Sequence, residues 1–529
     1  MLKNIFIAIR KKSILVLFIG ITASILSCGG SDSSNSDTII VSGKVTYDRV
    51  PDTEGGLDYT AIFQLPVRRA LVSAKNANSG SILQNTYTDN SGNYSISVPV
   101  NTSVVIYVYS QTQNPIIVVQ DNNTSSAGNL KALYSLKSSA FTTSNGENIT
   151  KNLNAASGYN STTQKLSENR AAAPFAILDN CLQASDFFLE NRSIDFPKLV
   201  VNWSEKNSSR VIGTSHWDSF ESELYILGDA DVDTDEYDQH VIVHEWGHYF
   251  ESAIGRSDSL GGAHTDGDVL DPRVAFSEGW GNALSAMVLY PDSVYKDTGG
   301  LNQSTTGILF DIEKNNTELA INSQFKIGWF SEGSVQAILY DIFDPDNGSE
   351  SWDQISSNSG VVYDIFTNFI KNAESLTTIF TFLDAYLKIN PSDASKVDLL
   401  IAKHEMAPIV DEFGTGETNN GGISGALPVY KSLGLGEQVV LDFSNVDKTN
   451  FLGNFQYLKV SGVSGRASIS ATGGSSKTIT LVHKGVELMS SSGSSTVSIS
   501  NFNFDSTKTY IVIVKNNLFI NQITVSLNP

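Results

Sequence analysis

Residues 241–250 read Val-Ile-Val-His-Glu-Trp-Gly-His-Tyr-Phe. His244, Glu245 and His248 make the pattern H-E-x-x-H. In a helix, two residues four apart lie on one face, so both imidazoles can converge on one metal ion. Glu245 directly follows the first of them. From there its carboxylate can reach a water at that metal without being a ligand itself. The chain has only seven histidines in 529 residues, so a chance match is rare, below about 1%.

Two imidazoles leave the ion one protein donor short. A metzincin would supply a His six residues after His248, but that position is Ile254, and Glu251 stands where the motif needs Gly. The other solution is a Glu from a later helix. Ala275-Phe-Ser-Glu-Gly-Trp-Gly-Asn-Ala-Leu284 fits, with Glu278 placed 30 residues after His248. That is room for a loop and a returning helix. Glu251 lies on the same helix as the His pair, turned from it. Asp258, Asp266, Asp268 and Asp271 fall in a turn-rich connection. Gly247, Gly279 and Gly281 each cost about 1 kcal/mol against Ala in a helix interior. Close approach of two helices around the metal is the gain that would offset this.

This stretch resembles the zinc metallopeptidases of the gluzincin group, with thermolysin and fungalysin as familiar members. The matching region runs from about Ala171 to Glu412. Its specific part is His244, Glu245, His248 and Ser277-Glu278-Gly279-Trp280. The resemblance implies an α+β, zincin-like, two-lobed peptidase domain that cuts polypeptide substrates internally. It implies one Zn²⁺ per chain on His244, His248 and Glu278, with Glu245 as general base and acid. Asn282, one turn after Glu278, stands where thermolysin-like enzymes carry an Asp that orients a ligand His. An Asn oxygen can still accept the imidazole N–H, with less charge transfer to the ligand. No oxyanion donor aligns by resemblance. His264, on the connection between the two helices, and Tyr340 are the candidates, against ordinary readings as a loop histidine and a core tyrosine. His240 reads as a support behind the ligands or as packing, and His404 as structural. Leu224-Tyr225-Ile226-Leu227-Gly228 reads as an edge strand for an extended substrate. Asp229, Asp231, Asp233, Asp235 and Asp238 alternate before the helix. They could hold Ca²⁺, but the run lacks the EF-hand Gly and terminal Glu, and a solvated acidic loop is the plainer reading.

Outward from this centre the texture changes on both sides. Residues 38–155 read as short strands punctuated by Gly, Asn, Asp and Pro, a β-sandwich pattern. Gly43-Lys44-Val45, Pro66-Val67-Arg68-Arg69-Ala70-Leu71-Val72 and Thr88-Asp-Asn-Ser-Gly-Asn-Tyr94 are similar to the carboxypeptidase regulatory-like domain, which implies a structural spacer. Residues 156–170 form a polar linker, 171–413 the peptidase-like domain, and 414–424 a Gly/Thr/Asn linker. Residues 425–529 return to strands. They resemble the pre-peptidase C-terminal sandwiches of secreted bacterial proteases. The fold class is therefore multidomain: a β-sandwich, an α+β domain, then a second β-sandwich.

Lys3, Arg10, Lys11 and Lys12 precede an apolar run, Ile14–Leu26, that is short of the roughly 20 residues a spanning helix needs. Ile25-Leu26-Ser27-Cys28 ends it. This resembles a bacterial lipobox, with 1–27 as signal peptide, Cys28 as lipidation site and 28–37 as tether. The resemblance implies an exported lipoprotein with its lipid anchor in a membrane, at the periplasmic face or the cell surface. Cys181 is then a lone cysteine, so disulfide stapling is excluded. With 56 acidic against 35 basic residues the net charge is −21, which argues against nucleic acid as a partner. Two other functions stay open. A glycan- or protein-binding surface lipoprotein would need a degenerate middle domain, against which the complete motif argues. A zinc aminopeptidase would need an amine-gripping Gly-x-Met-Glu-Asn strand, which the sequence lacks.

Overall fold

Asp89-Asn90-Ser91-Gly92 shows how the first strands are shaped. The Asp89 carboxylate accepts from the amides of Ser91 and Asn93, each at 2.8 Å, closing a turn. Gly92 has φ +78°, and a Cβ there would lie 2.4 Å from the Val45 carbonyl, so only Gly fits. The computed structural model describes residues 38–529, apart from 127–129, 168, 231, 266, 301–304, 315–325, 345–350, 444–448, 475 and 518–521. The signal peptide, Cys28 and the tether lie outside the described residues, as do Asp231 and Asp266.

The molecule is multidomain and rich in β-sheet. Strands β1 (Thr38–Arg49), β2 (Ala70–Asn76), β3 (Ile82–Tyr87), β4 (Asn93–Pro99) and β5 (Ser103–Thr112) form most of the first sandwich. β4 and β5 alternate strictly between buried and less buried residues, the period-2 pattern of a strand with one face in the core. β1 pairs with β4, and β5 pairs with β2 in the facing sheet.

The expected division at 155–170 is crossed by that second sheet. β6 (Ile117–Ser126) pairs in parallel with β7 (Leu199–Trp203), from Leu199↔Ile117 to Trp203↔Asp121. The sheet continues through β8 (His216–Asp218) and β9 (Glu223–Ile226), in the order β8-β9-β7-β6-β5-β2-β3. One apolar core accordingly runs from Ile39 to Leu452. Arg68 and Arg69 add ion pairs to Asp179 and Asp186 on helix α1 (Ala173–Leu189). The polar stretch 156–170 is a fixed connection: Tyr159 stacks on Tyr59 at 4.1 Å, and the buried Arg170 pairs with Glu236 at 2.5 Å. Ser, Thr and Asn there signal turns rather than a free hinge.

The helical part is built on α2 (Gln239–Ala253), α3 (Pro272–Leu289) and α4 (Glu332–Phe343). A Cβ on Gly247 would lie 3.2 Å from the Gly281 Cα, so these two glycines let α2 and α3 approach. Gly279 serves a different contact, because its Cβ would meet Val335 of α4 at 2.7 Å. Strands β10 (Gly228–Asp229) and β11 (Asp233–Thr234), before α2, and β12 (Val294–Gly299) and β13 (Thr305–Asp311), between α3 and α4, join in that order into one small sheet.

The C-terminal sandwich stacks a five-stranded sheet on a four-stranded one around its own core, which includes Leu458, Ile469, Leu481, Val512 and Val525. The expected linker at 414–424 is pinned. Asn419 Nδ2 donates to the Ile327 carbonyl at 3.0 Å, and Trp329 Nε1 donates to the Asn419 carbonyl at 2.8 Å. Among the described residues no helix is long and apolar enough to cross a membrane.

Candidate metal centre

Helix α2 is buried along most of its length, from His240 to Glu251. His244 and His248 point from one face of it toward α3, as four-residue spacing requires. Their Nε2 atoms are 3.1 Å apart, and each lies 3.4 Å from Glu278 Oε2 on α3. A tetrahedral zinc ion with bonds of about 2.0–2.1 Å sets its ligand atoms roughly 3.3 Å from one another. The spacing of these three donors fits such an ion.

The remaining atoms of each donor are held from behind. His244 Nδ1 donates to Asn282 Oδ1 at 2.7 Å, which leaves its Nε2 lone pair facing the centre. Asn282 is itself fixed by donating to Glu332 Oε1 at 2.7 Å and Gln336 Oε1 at 2.9 Å. His248 Nδ1 lies 3.1 Å from Ser277 Oγ, which donates to Glu251 Oε2 at 2.7 Å. Glu251 is thus outside the converging donors, as its turned position implies, yet it braces one of them. Burial works to raise the Glu278 carboxyl, but His248, His244 and His264 outweigh it and hold it well below the usual carboxylate range. Burial works to lower His248, and Glu278 and Glu251 outweigh that in turn, holding it well above an ordinary imidazole.

Glu245 is not one of the converging donors. Its Oε2 accepts from the Trp217 amide at 2.9 Å. Burial raises its carboxyl above the ordinary range, with the two imidazoles opposing. Trp217 lies on β8, which is the outermost strand of the long sheet. The edge strand is therefore His216–Asp218 and not 224–227, because β9 is flanked by β7 on one side and β8 on the other. Nothing in the tripeptide His-Trp-Asp marks it as a strand, whereas Leu-Tyr-Ile-Leu reads as one from composition alone.

His264 Nε2 sits 3.4 Å from Glu332 Oε2 and 3.7 Å from Glu278 Oε2, so the connection between α2 and α3 does bring it to the cleft. Tyr340 does not reach it. That ring is buried on α4, with Asp344, Glu313 and Asp311 as its charged surroundings. The core position follows from its place among Ala337, Ile338 and Leu339. His240 and His404 are also buried away from the donors, and burial pushes them down to about 4 and about 3. Sequence reasoning missed Tyr295. It stacks on Phe310 at 4.8 Å, meets the His244 ring edge-on at 6.2 Å and lines the cleft. The end of the acidic run before α2 is not solvated. Asp235 and Asp238 are 2% and 0% exposed, and Asp238 accepts from the Thr298 amide and hydroxyl. The cleft is about 1440 Å³, beyond the roughly 300–1,000 Å³ of a small-molecule pocket.

No family model matches the chain, and no curated protein matches it in sequence. Among solved structures it is similar to the pre-peptidase C-terminal domain of a collagenase from Bacillus anthracis. The identity is 16% over 18% of this chain and 93% of that one, with a TM-score of 0.15. It is also similar to the precursor of protealysin, a metalloproteinase from Serratia proteamaculans, at 10% identity over 46% of this chain and 80% of that one, TM-score 0.29. A 9R-lipoxygenase from Cyanothece matches at 9% identity over 31% of this chain and 25% of that one, TM-score 0.14. All three TM-scores lie under 0.5, too low to carry a fold or an activity across.

Proposed function

We propose that the chain is a zinc-dependent endopeptidase with a zincin-like catalytic lobe, exported as a lipoprotein anchored through Cys28. The observation that carries the enzymatic reading is one arrangement. His244, His248 and Glu278 converge with tetrahedral spacing, and the Glu245 carboxylate beside them is held by an edge-strand amide. Zinc bound there would supply Lewis-acid polarisation and a nucleophilic water near neutral pH.

The protein's own part follows from its geometry. Asn282 and the Ser277–Glu251 pair orient the two imidazoles. The outer edge of β8 offers backbone groups to which an extended polypeptide can add as a further strand. Glu245 takes the proton of the attacking water and delivers it to the leaving nitrogen, and its burial raises its basicity for that purpose. His264 faces the cleft and is the donor for the developing oxyanion, while Tyr340 is withdrawn from that role. The C-terminal sandwich, similar in its strand pattern to pre-peptidase C-terminal domains, is proposed as an integral flank of the catalytic lobe.

The test is Glu245→Gln in the mature chain. We expect hydrolysis of blocked peptides to fall by at least about 10²-fold, with one zinc per chain retained. Substantial activity in a metal-replete variant would remove this mechanism. Products formed only by stepwise loss of N-terminal residues would favour the aminopeptidase. Cys28→Ala should move the protein from the membrane fraction to the soluble one.

A further inference from the structure

Asp233 on β11, Asp235 just after it and Asp297 on β12 place carboxylate oxygens within 4.8 Å of one another. None of the three pairs with a Lys, Arg or His among the described residues. Asp233 and Asp297 are half-buried and Asp235 is buried. Carboxylates gathered this closely repel one another, and the buried one loses hydration worth several kcal/mol unless a cation or a proton takes its place. Asp235 makes the need specific. It is 2% exposed; Ser215 Oγ donates to its Oδ2, but its Oδ1 is buried with no hydrogen-bond partner. Asp233 Oδ1 is likewise buried and unpartnered.

We propose that Asp233, Asp235 and Asp297 form a second cation site, for a hard divalent ion of the calcium class. The donor chemistry separates it from the first centre. All three donors are carboxylate oxygens, which suit calcium, whereas His244 and His248 bring nitrogens, which suit zinc. A ligand sphere of six to eight oxygens leaves places for water or substrate carbonyls, and Asp235 and Asp297 both line the cleft. Burial raises all three groups, Asp297 to about 7; nearby carboxylates add to it for Asp235 and Asp297, while a hydrogen bond with Asp235 opposes it for Asp233. That is the electrostatic signature of a site that favours positive charge.

The position gives the ion a structural task. β11 leads into α2, which carries the His pair, and β12 follows α3, which carries Glu278. Among the described residues these two strands share one register pair, Asp233↔Gly299. An ion on Asp233, Asp235 and Asp297 would cross-link the two strands beside that pair. This inference does not depend on the peptidase reading.

The experiment uses the full mature chain stripped of divalent ions, then titrated with Ca²⁺ while thermal unfolding is followed. Terbium luminescence reports binding directly. We expect saturating Ca²⁺ to raise the melting temperature by at least about 2 °C in the wild type and in Glu278→Gln. Asp297→Asn should abolish both that shift and the terbium signal. Asp235→Asn should do the same if it folds, and Asp297, at the cleft surface, keeps the test decisive if it does not. A wild type unmoved by Ca²⁺, or Asp297→Asn retaining the whole shift, would overturn the site. Loss of the shift in Glu278→Gln would also overturn it, by assigning the binding to the His centre.

Discussion

Ser277 governs the centre without being able to bind a metal strongly. Its hydroxyl donates to Glu251 Oε2 and so turns its remaining lone pairs toward His248 Nδ1. Glu251 is 1% exposed, so that carboxylate can act only through Ser277 and His248. We therefore expect Glu251→Gln and Ser277→Ala each to weaken metal affinity about 10–100-fold while keeping the fold. Glu278→Ala should lose most of the metal outright. Competition with a graded series of chelators measures all three. Equal affinity in Glu251→Gln and wild type would mean that the imidazole needs no brace. This residue also marks how far the sequence could be read. The meeting of His244, His248 and Glu278 was legible because the motif constrains both residue type and spacing. Glu251 read as idle, because a brace acts through a contact between helices that no local spacing encodes.

At the level of single elements, the crossing of α2 and α3 sets the centre's dimensions. A Cβ on Gly281 would lie 2.8–2.9 Å from three ring atoms of His244, with the helix backbone behind it. Gly281→Ala gains about 1 kcal/mol of intrinsic helix preference but must push His244 off Asn282. The collision should win, because the ring is held at 2.7 Å by Asn282 and has packed side chains around it. The expected outcome is a variant with near-native thermal stability, within about 2 kcal/mol, and little bound zinc. Gly247→Ala, whose nearest neighbours stand at 3.2–3.6 Å, should be milder on both counts. Metal analysis beside a melting curve checks the pair. A Gly281→Ala protein with full zinc would show that the helices can part without cost. The helices and the need for close approach were readable from period and glycine placement. The edge strand was not: β8 is a three-residue strand fixed by its pairing to β9, and tertiary pairing of so short a segment leaves no periodic signal.

Across the whole molecule, the boundaries between textures in the sequence do not coincide with mechanical boundaries. The first sandwich continues into the sheet that ends at β8, and the C-terminal sandwich grips the other side of the cleft. Asn450 Nδ2 donates to the Ala263 carbonyl at 3.1 Å, and its own carbonyl accepts from the Asp271 amide at 2.8 Å. The Leu452 amide donates to the Val269 carbonyl at 3.0 Å. Tyr457 donates to the Asp271 carboxylate, which caps α3 through the Arg273 amide. The Arg273 guanidinium lies 4.8 Å from the Phe455 ring and 5.2 Å from the Tyr457 ring. Every one of these contacts falls on residues 263–273, the connection that presents His264 and starts the helix bearing Glu278. The sandwich has its own core, so weakening the grip should leave both parts folded while loosening the connection. Each lost hydrogen bond is worth about 0.5–1.5 kcal/mol, and about 1.4 kcal/mol is tenfold in rate. We therefore expect Asn450→Ala combined with Tyr457→Phe to lower kcat/KM about 10-fold or more, with zinc content unchanged. The same variant should become sensitive to limited proteolysis between residues 258 and 268. A double variant with wild-type kcat/KM and an equally resistant connection would show that the sandwich is cargo beside the cleft, not part of its wall.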